Sequence, residues 1–340
     1  MKILVTGAAG FICGYLVDEL LRANYEVVGL DNFSKYGAVE HPFDHHPRYT
    51  FVQGDAKDLR LLKDLLVACD HFVGAAAMIG GINYFHQYAY DLLAENARLT
   101  ATAFDAAIVA HRNGRLKKIT VISSSMVYES TTEFPTPEGA ERRSRPPQST
   151  YGFQKLATEY FAQGAWDQYR LPFTVVRPFN AVGIGERGPA EGQPVASGNL
   201  KLVMSHVVPD LVQKALKGQD PLHILGSGSQ VRHYTHAGDL ARGIRLCIEH
   251  PAALNQDFNL SSTERTTVLG LAEMIWRKIH ADGRPFRYVS DPPYEYDVQE
   301  RSPDASKAAR LLGFQATTPL SEAVDEVIPW VAEQISLGQI

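Results

Sequence analysis

Tyr151 and Lys155 stand four residues apart in Tyr-Gly-Phe-Gln-Lys, downstream of Ser123-Ser124-Ser125. On a helix that spacing places phenol and ammonium on one face, one turn apart. A cation beside a tyrosine favours the ionised phenol and lowers its pKa. The pair then offers a general acid or base usable near neutral pH. A serine hydroxyl within reach could share the proton at a carbinol or carbonyl. Tyr-x-x-x-Lys is a short pattern that chance supplies often. Its weight comes from the segment that opens the chain.

Lys2 to Thr6 is an apolar run of the kind that forms a buried parallel strand. Gly7-Ala8-Ala9-Gly10-Phe11-Ile12-Cys13-Gly14 follows. Gly7 suits a tight turn, and Gly10 suits close approach of a pyrophosphate. The helix expected next, with Ile12, Leu16 and Leu20 on one side, points free N–H groups and a positive dipole end at the phosphates. A second apolar run, Glu26 to Leu30, ends at Asp31. An acid about 20 residues beyond the glycines suits the adenosine ribose hydroxyls. Asn32 and Phe33 supply no arginine for a 2′-phosphate, so the reading is NAD rather than NADP.

These residues need a scaffold, and the rest of the chain predicts one. Candidate strands at Thr50–Gly54, His71–Ala75, Lys118–Ser124 and Phe173–Arg177 alternate with helical patterns near Arg60–Ala68, Asp91–His111 and Tyr151–Tyr169. That rhythm predicts an α/β fold, a Rossmann-type doubly wound parallel sheet with a smaller α/β lobe. Ligands in such sheets bind beyond the carboxyl ends of the strands, where Ser124 and the Gly7–Gly10 turn both fall. After Pro178 the composition shifts to a glycine-rich stretch, Gly183 to Gly198, that reads as a loop. Helical patterns return near His206–Leu216, His236–His250, Val268–His280, Asp304–Leu312 and Leu320–Ile335. Residues 1–178, with 231–260, are expected to bind the dinucleotide, and 179–230 with 261–340 to bind substrate. Asp239 reads as a helix cap before Leu240.

Composition narrows the function classes. Over 340 residues the net charge is −5, and no basic stretch exists to neutralise nucleic-acid phosphates. No apolar run reaches the roughly 18–20 residues that span a bilayer. Three cysteines without a Cys-x-x-Cys pair speak against a disulfide framework or zinc site, and cytoplasm is the expected compartment. His45-His46 and the other histidines suggest no metal ligand set.

Taken in order, Thr-Gly-Ala-Ala-Gly-Phe-Ile, Asp31-Asn32, Gly54-Asp55, Ala76-Ala77, Asn96, Ser-Ser-Ser-Met-Val-Tyr, Tyr-Gly-Phe-Gln-Lys, Arg177-Pro178-Phe179-Asn180, Arg232 and Asp304-Ala-Ser-Lys resemble the extended short-chain dehydrogenase/reductases. The branch is that of NAD-dependent nucleotide-sugar epimerases and dehydratases, and the likeness runs from Met1 to about Leu312. The resemblance implies that Tyr151 takes a sugar hydroxyl proton, that Lys155 holds the nicotinamide ribose, and that Ser124 is the catalytic serine. It implies a cofactor site of Gly7, Ala9, Gly10, Phe11, Ile12, Asp31, Asn32, Asp55, Ala56, Ala76 and Asn96, with Asp55 at the adenine and Asn96 in support; the plainer reading of Asn96 is a hydrogen bond to the backbone. Asn180 and Arg232 match substrate diphosphate positions, and a guanidinium fork fits phosphate oxygens. His206 resembles a substrate-lobe position, and Ser125 and Met126 face the sugar. A homodimer through the Asp91–His111 and Tyr151–Tyr169 helices is implied as well. Cys13 stands where the fingerprint has its third glycine.

Ser125 and Met126 bear on the reaction. Members that eliminate water carry Asp and Glu there, which favours simple epimerisation through a 4-keto sugar. A 4,6-dehydratase, a net oxidoreductase and a non-enzymatic NAD-bound regulatory protein remain as alternatives. Ala76 to Gly81 resembles the sugar loop of the GDP-mannose 3,5-epimerase subgroup, Arg301 its phosphate-contacting arginine, and Lys201 stands near its catalytic lysine. That subgroup has cysteine in place of Met126, and methionine carries no exchangeable proton.

Overall fold

The computed structural model describes residues 1–80, 87–186, 206–293 and 298–340, with two short backbone segments at 194–195 and 198–199. Strands β1 (Lys2–Thr6), β2 (Glu26–Asp31), β3 (Tyr49–Gln53), β4 (His71–Gly74), β5 (Lys118–Ile122) and β6 (Phe173–Pro178) alternate with helices. The helices are α1 (Phe11–Arg22), α2 (Leu59–Leu66), α3 (Ala89–Arg112) and α4 (Thr150–Tyr169). The strands are apolar on both faces because helices cover both: Ile3, Leu4 and Val5 are all fully buried.

In the second half follow α5 (Val207–Leu216), β7 (Leu222–Leu225), α6 (Ala237–Glu249), β8 (Gln256–Leu260), α7 (Val268–Ile279), β9 (Tyr288–Asp291), α8 (Ser306–Leu312) and α9 (Leu320–Ser336). β8 returns to the sheet, whose order is β8-β6-β5-β4-β1-β2-β3 with every pairing parallel. The order reverses at β1, between β2 and β4, and this opens the crevice where ligands of doubly wound sheets bind.

Two cores sandwich the sheet. Leu16, Leu20, Ile244 and Phe258 pack on one side, and Leu62, Phe104, Ile119 and Ala162 on the other. A third core lies apart and joins α5, β7, α7 and α9 through Val212, Ile224, Trp276 and Val327. Ala308, Leu312 and Phe314 pack into the first sheet-side core, so α8 adheres to the sheet although it lies within the stretch expected to form the smaller lobe.

Beneath the crevice sits a buried ionic cluster. The Arg177 guanidinium donates to both Glu159 oxygens, at 2.8 and 2.6 Å, to Asp257 at 2.7 Å and to the Tyr128 hydroxyl at 2.7 Å. It ties α4, β6, β8 and the 3-10 turn Ser125–Tyr128 into one frame. Asp239 is not a cap. His236 caps α6 through Nδ1, which accepts from Gly238 N at 3.2 Å, whereas Asp239 accepts from the backbone of Thr317 and Thr318. A carboxylate in the first turn has reached past its own helix to the α8–α9 connection.

Candidate active site

The glycine turn is built as its sequence requires. Gly7 holds φ +75°, and a Cβ there would lie 3.0 Å from Ala76 Cα; at Gly10 it would lie 2.9 Å from Gly7 O. Both contacts are with backbone, so side chains would force the turn apart. Gly10 caps α1 without any side-chain bond, which leaves the helix N–H groups to face the crevice. Asp31 ends β2 and accepts from Ala9 N at 3.1 Å and Phe33 N at 2.7 Å. Burial nonetheless raises its carboxyl above the usual range. Cys13 is buried, with Sγ 3.9 Å from Thr6 O, and burial pushes its thiol up to about 12. It packs helix against strand in the place of glycine.

A cavity of about 780 Å³ runs from this turn to Tyr151. Gly7, Gly10, Phe11, Ile12, Asp31, Asn32, Asp55, Ala56 and Ala76 line one end, and Ser124, Ser125, Met126, Tyr151, Lys155, Asn180, His206, Arg232 and Arg301 line the other. The crevice thus brings together residues from six strands' ends and from the second half of the chain. Ala9 is buried and does not line the cavity; its N–H donates to Asp31 behind the turn. Gly81 and Lys201 lie outside the described residues.

Asn96 likewise stands apart from the other expected cofactor residues. Its side chain accepts from Met78 N at 2.7 Å and donates to Met78 O at 2.8 Å. It clamps the segment after β4 from behind and does not line the main cavity.

Ser149 caps α4 by accepting from Gly152 N at 3.0 Å, and that first turn carries Tyr151. Tyr151 and Lys155 are 4 % and 7 % exposed. Lys155 Nζ donates to Ile122 O at 2.8 Å and lies 5.9 Å from the phenol ring centre. Burial pushes Lys155 down to about 8, against the pull of Cys13 and Glu159. Tyr151 is pushed up to about 12 by burial, opposed by its hydrogen bond to Ser124 and by the Arg301 charge. The expected depression of the phenol by Lys155 is therefore not found in this structure. Desolvation is the largest influence on the phenol, and the lysine's ammonium donates to a β5 carbonyl.

At the substrate end, Asn180 (φ 35°) donates to His233 O at 3.0 Å. Arg301 donates to Asn180 Oδ1 at 3.4 Å and lies 2.8 Å from Met126 Sδ. His206 occupies the N-cap position of α5 without a side-chain capping bond, and its Nδ1 meets Glu186. Burial, then the charges of Lys35 and Arg301, push its imidazole down to about 3. Several wall residues escaped sequence reasoning, among them Lys35, Glu129, Ser149, Lys214, His223 and Tyr234. Glu129 follows the Val-Tyr pair directly, Ser149 precedes Tyr151 by two residues and Tyr234 follows Arg232 by two, so these could have been noticed beside the motifs; Lys35, Lys214 and His223 come from segments without them.

A glycine turn at a strand end, an acid closing the next strand, and a Ser-Tyr-Lys set line one cavity at the carboxyl ends of a Rossmann-type sheet. Residues 3–261 match the model of the NAD dependent epimerase/dehydratase family, and the chain belongs to that family. The uncharacterized UDP-glucose epimerase YtcB of Bacillus subtilis is 27% identical over 98% of this chain and 98% of its own length. UDP-glucuronic acid decarboxylase 1 of Danio rerio is 25% identical over 98% of this chain and 73% of its own. The crystal structure of UDP-glucose 4-epimerase of Thermotoga maritima with UDP-glucose superposes with a TM-score of 0.80 at 25% identity, covering 98% of this chain and 100% of that one. The family's cofactor is NAD, and the backbone-limited cradle at Gly7 and Gly10 fits a pyrophosphate.

Proposed function

We propose that the protein is an NAD-dependent nucleotide-sugar epimerase that oxidises a sugar carbinol, C4 by preference, to a ketone and then reduces it from the other face. The observation that carries the reading is the convergence of Ser124, Tyr151 and Lys155 on the end of the cavity away from the glycine turn. Gly7, Ala9 and Gly10 would hold the pyrophosphate, Asp31 the adenosine ribose, Asp55 and Ala56 the adenine, and Lys155 the nicotinamide ribose. When bound, NAD supplies a reversible hydride acceptor. Ser124 hydrogen-bonds the phenol, so the two hydroxyls can hand a carbinol proton from sugar to Tyr151. Arg232 and Asn180 would hold the substrate diphosphate. Met126 and Ser125 offer neither the acid nor the base that elimination requires.

Elimination of water is the second reading, and Glu129 favours it, since its carboxylate lines the same cavity. Both Glu129 oxygens already accept from Ser149, which supports a role in capping. Tyr90, Phe153, Tyr160 and Phe161 are exposed on α3 and α4, and they support the proposed homodimer across these helices.

The test is a panel of nucleotide sugars incubated with the purified protein without added coenzyme, with products resolved by NMR and mass. The reading expects isomers of unchanged mass, and Tyr151→Phe should lose most turnover while the protein stays folded. Loss of one water would sustain the second reading. Normal turnover by Tyr151→Phe would remove the base from the mechanism.

A further inference from the structure

The helix face that carries Tyr151 and Lys155 runs on to Glu159, again four residues along α4. All three side chains meet the carboxyl end of β5. The Tyr151 phenol is hydrogen-bonded to Ser124, Lys155 Nζ donates to Ile122 O at 2.8 Å, and Glu159 Oε1 accepts from Ser123 Oγ at 2.5 Å. Three successive residues at one strand end are thus gripped by three successive turns of one helix. Tyr151 and Lys155 belong to the proposed chemistry. The third grip, at Glu159, has no part in it so far.

We propose that Glu159 is a positioning residue for the reaction: holding Ser123 by its hydroxyl, it fixes the end of β5 so that Ser124 meets the Tyr151 phenol. The inference rests on Ser124 and Tyr151 being the pair that handles the sugar proton.

Several observations support it. Glu159 is itself held fast, since Arg177 donates to both its oxygens at 2.8 and 2.6 Å. Arg177 is buried and has two further carboxylates, Asp257 at 2.7 Å and Glu141 at 3.4 Å. Balancing the guanidinium charge therefore does not explain why Glu159 also takes the Ser123 hydroxyl. A hydroxyl donating to a carboxylate makes a short, charge-assisted bond of the stronger kind. Ser123 N donates to Val176 O at 2.8 Å, so residue 123 is held through its backbone by β6 and through its side chain by α4. Ser124 comes next, and its Oγ accepts from Met126 N at 3.2 Å at the start of the 3-10 turn. Its backbone is set from one side and its hydroxyl from the other. Such restraint matters because a misplacement of about 1 Å at a reacting group can cost about 10²-fold in rate.

Ser123→Ala removes the grip and leaves the pair of Arg177 and Glu159 whole. Crystal structures of the NAD-bound protein and the variant read the separation of Ser124 Oγ from Tyr151 Oη, which needs no substrate. Kinetics on a sugar found by the panel read kcat and KM. The expected result is a separation beyond about 3.5 Å and a kcat lowered about tenfold, with KM and bound NAD unchanged. Ser123→Thr keeps the hydroxyl and is expected to restore both separation and kcat. A lowered melting temperature with separation and kcat unchanged would show that Glu159 serves the frame alone, and overturn the proposal. So would a lost kcat with the separation intact. If no sugar is turned over by the unaltered protein, the reading of the reaction fails, and the separation still decides the positioning: lengthened sustains it, unchanged overturns it. Should Ser123→Ala not fold, Ser123→Cys, whose thiol is a weak donor, decides by the same separation.

Discussion

Replacing Lys155 by methionine should make the protein more stable and inactive, and the stability gain should vanish at high pH. Burial takes the Lys155 ammonium from 10.5 to about 8. At roughly 1.4 kcal/mol per pH unit, that gap is a penalty of about 3 kcal/mol on the folded protein whenever the group is charged. The sign follows from linkage. A lysine whose folded pKa is lowered binds fewer protons in the folded state than in the unfolded one between pH 8 and 10.5. Stability therefore rises with pH across that window, and the full penalty applies below pH 8. Methionine removes the titrating group and fills the same stem volume. It also gives up the 2.8 Å bond to Ile122 O, a loss of about 1 kcal/mol. The expected net is a variant about 2 kcal/mol more stable at pH 7, with the advantage lost by pH 10.5. Urea unfolding of both proteins, stripped of dinucleotide, at one-unit steps from pH 7 to 10 measures the difference while cancelling every other titration. A difference that stays constant with pH would refute the argument, because it would mean that Lys155 is solvated in the folded protein.

Asn96→Leu should loosen the segment after β4 by leaving Met78 N and O without their partner, at about 1–3 kcal/mol for each buried group; titration calorimetry should find NAD bound at least about tenfold more weakly, and unchanged affinity would contradict the clamp. Arg177→Met removes the guanidinium paired with the buried Glu159 and Glu141 in the frame beneath the site, while Asp257 keeps Lys307, so denaturant unfolding should show a loss of about 3–5 kcal/mol. A loss under about 1 kcal/mol would place that cluster in contact with water.

Much of the fold was legible because the sheet strands are short apolar runs with few alternatives. The seams predicted for β4, β5 and β6 fall within two residues of those observed, and the Gly7, Gly10 and Asp31 turn is dictated locally by backbone contact. The return of β8 to the sheet edge and the pairing of β7 with β9 depend on partners far along the chain. No local pattern announces them. The same holds for α8, whose Leu312 packs into a core built mainly by α1 and α6. In the site, the Ser-Tyr-Lys set could be read from motif order. The pKa of Tyr151 could not, because spacing reveals a neighbour's charge and says nothing of desolvation, which here is the larger effect. For Asn96 a backbone hydrogen bond was the plainer reading, but that both ends of its carboxamide grip Met78 is a fact of three dimensions. Arg301 illustrates the same gap, since a residue more than 170 positions from Met126 ends up touching its sulfur.

The central claim is that one hydride leaves a sugar carbon and comes back to it within a single binding event. A nucleotide sugar deuterated at C4, turned over in ordinary water and analysed by mass and NMR, tests this most directly. The account predicts an isomer that keeps its deuterium at C4. Product that has exchanged the label for solvent hydrogen, or that has passed it to free coenzyme, would contradict it.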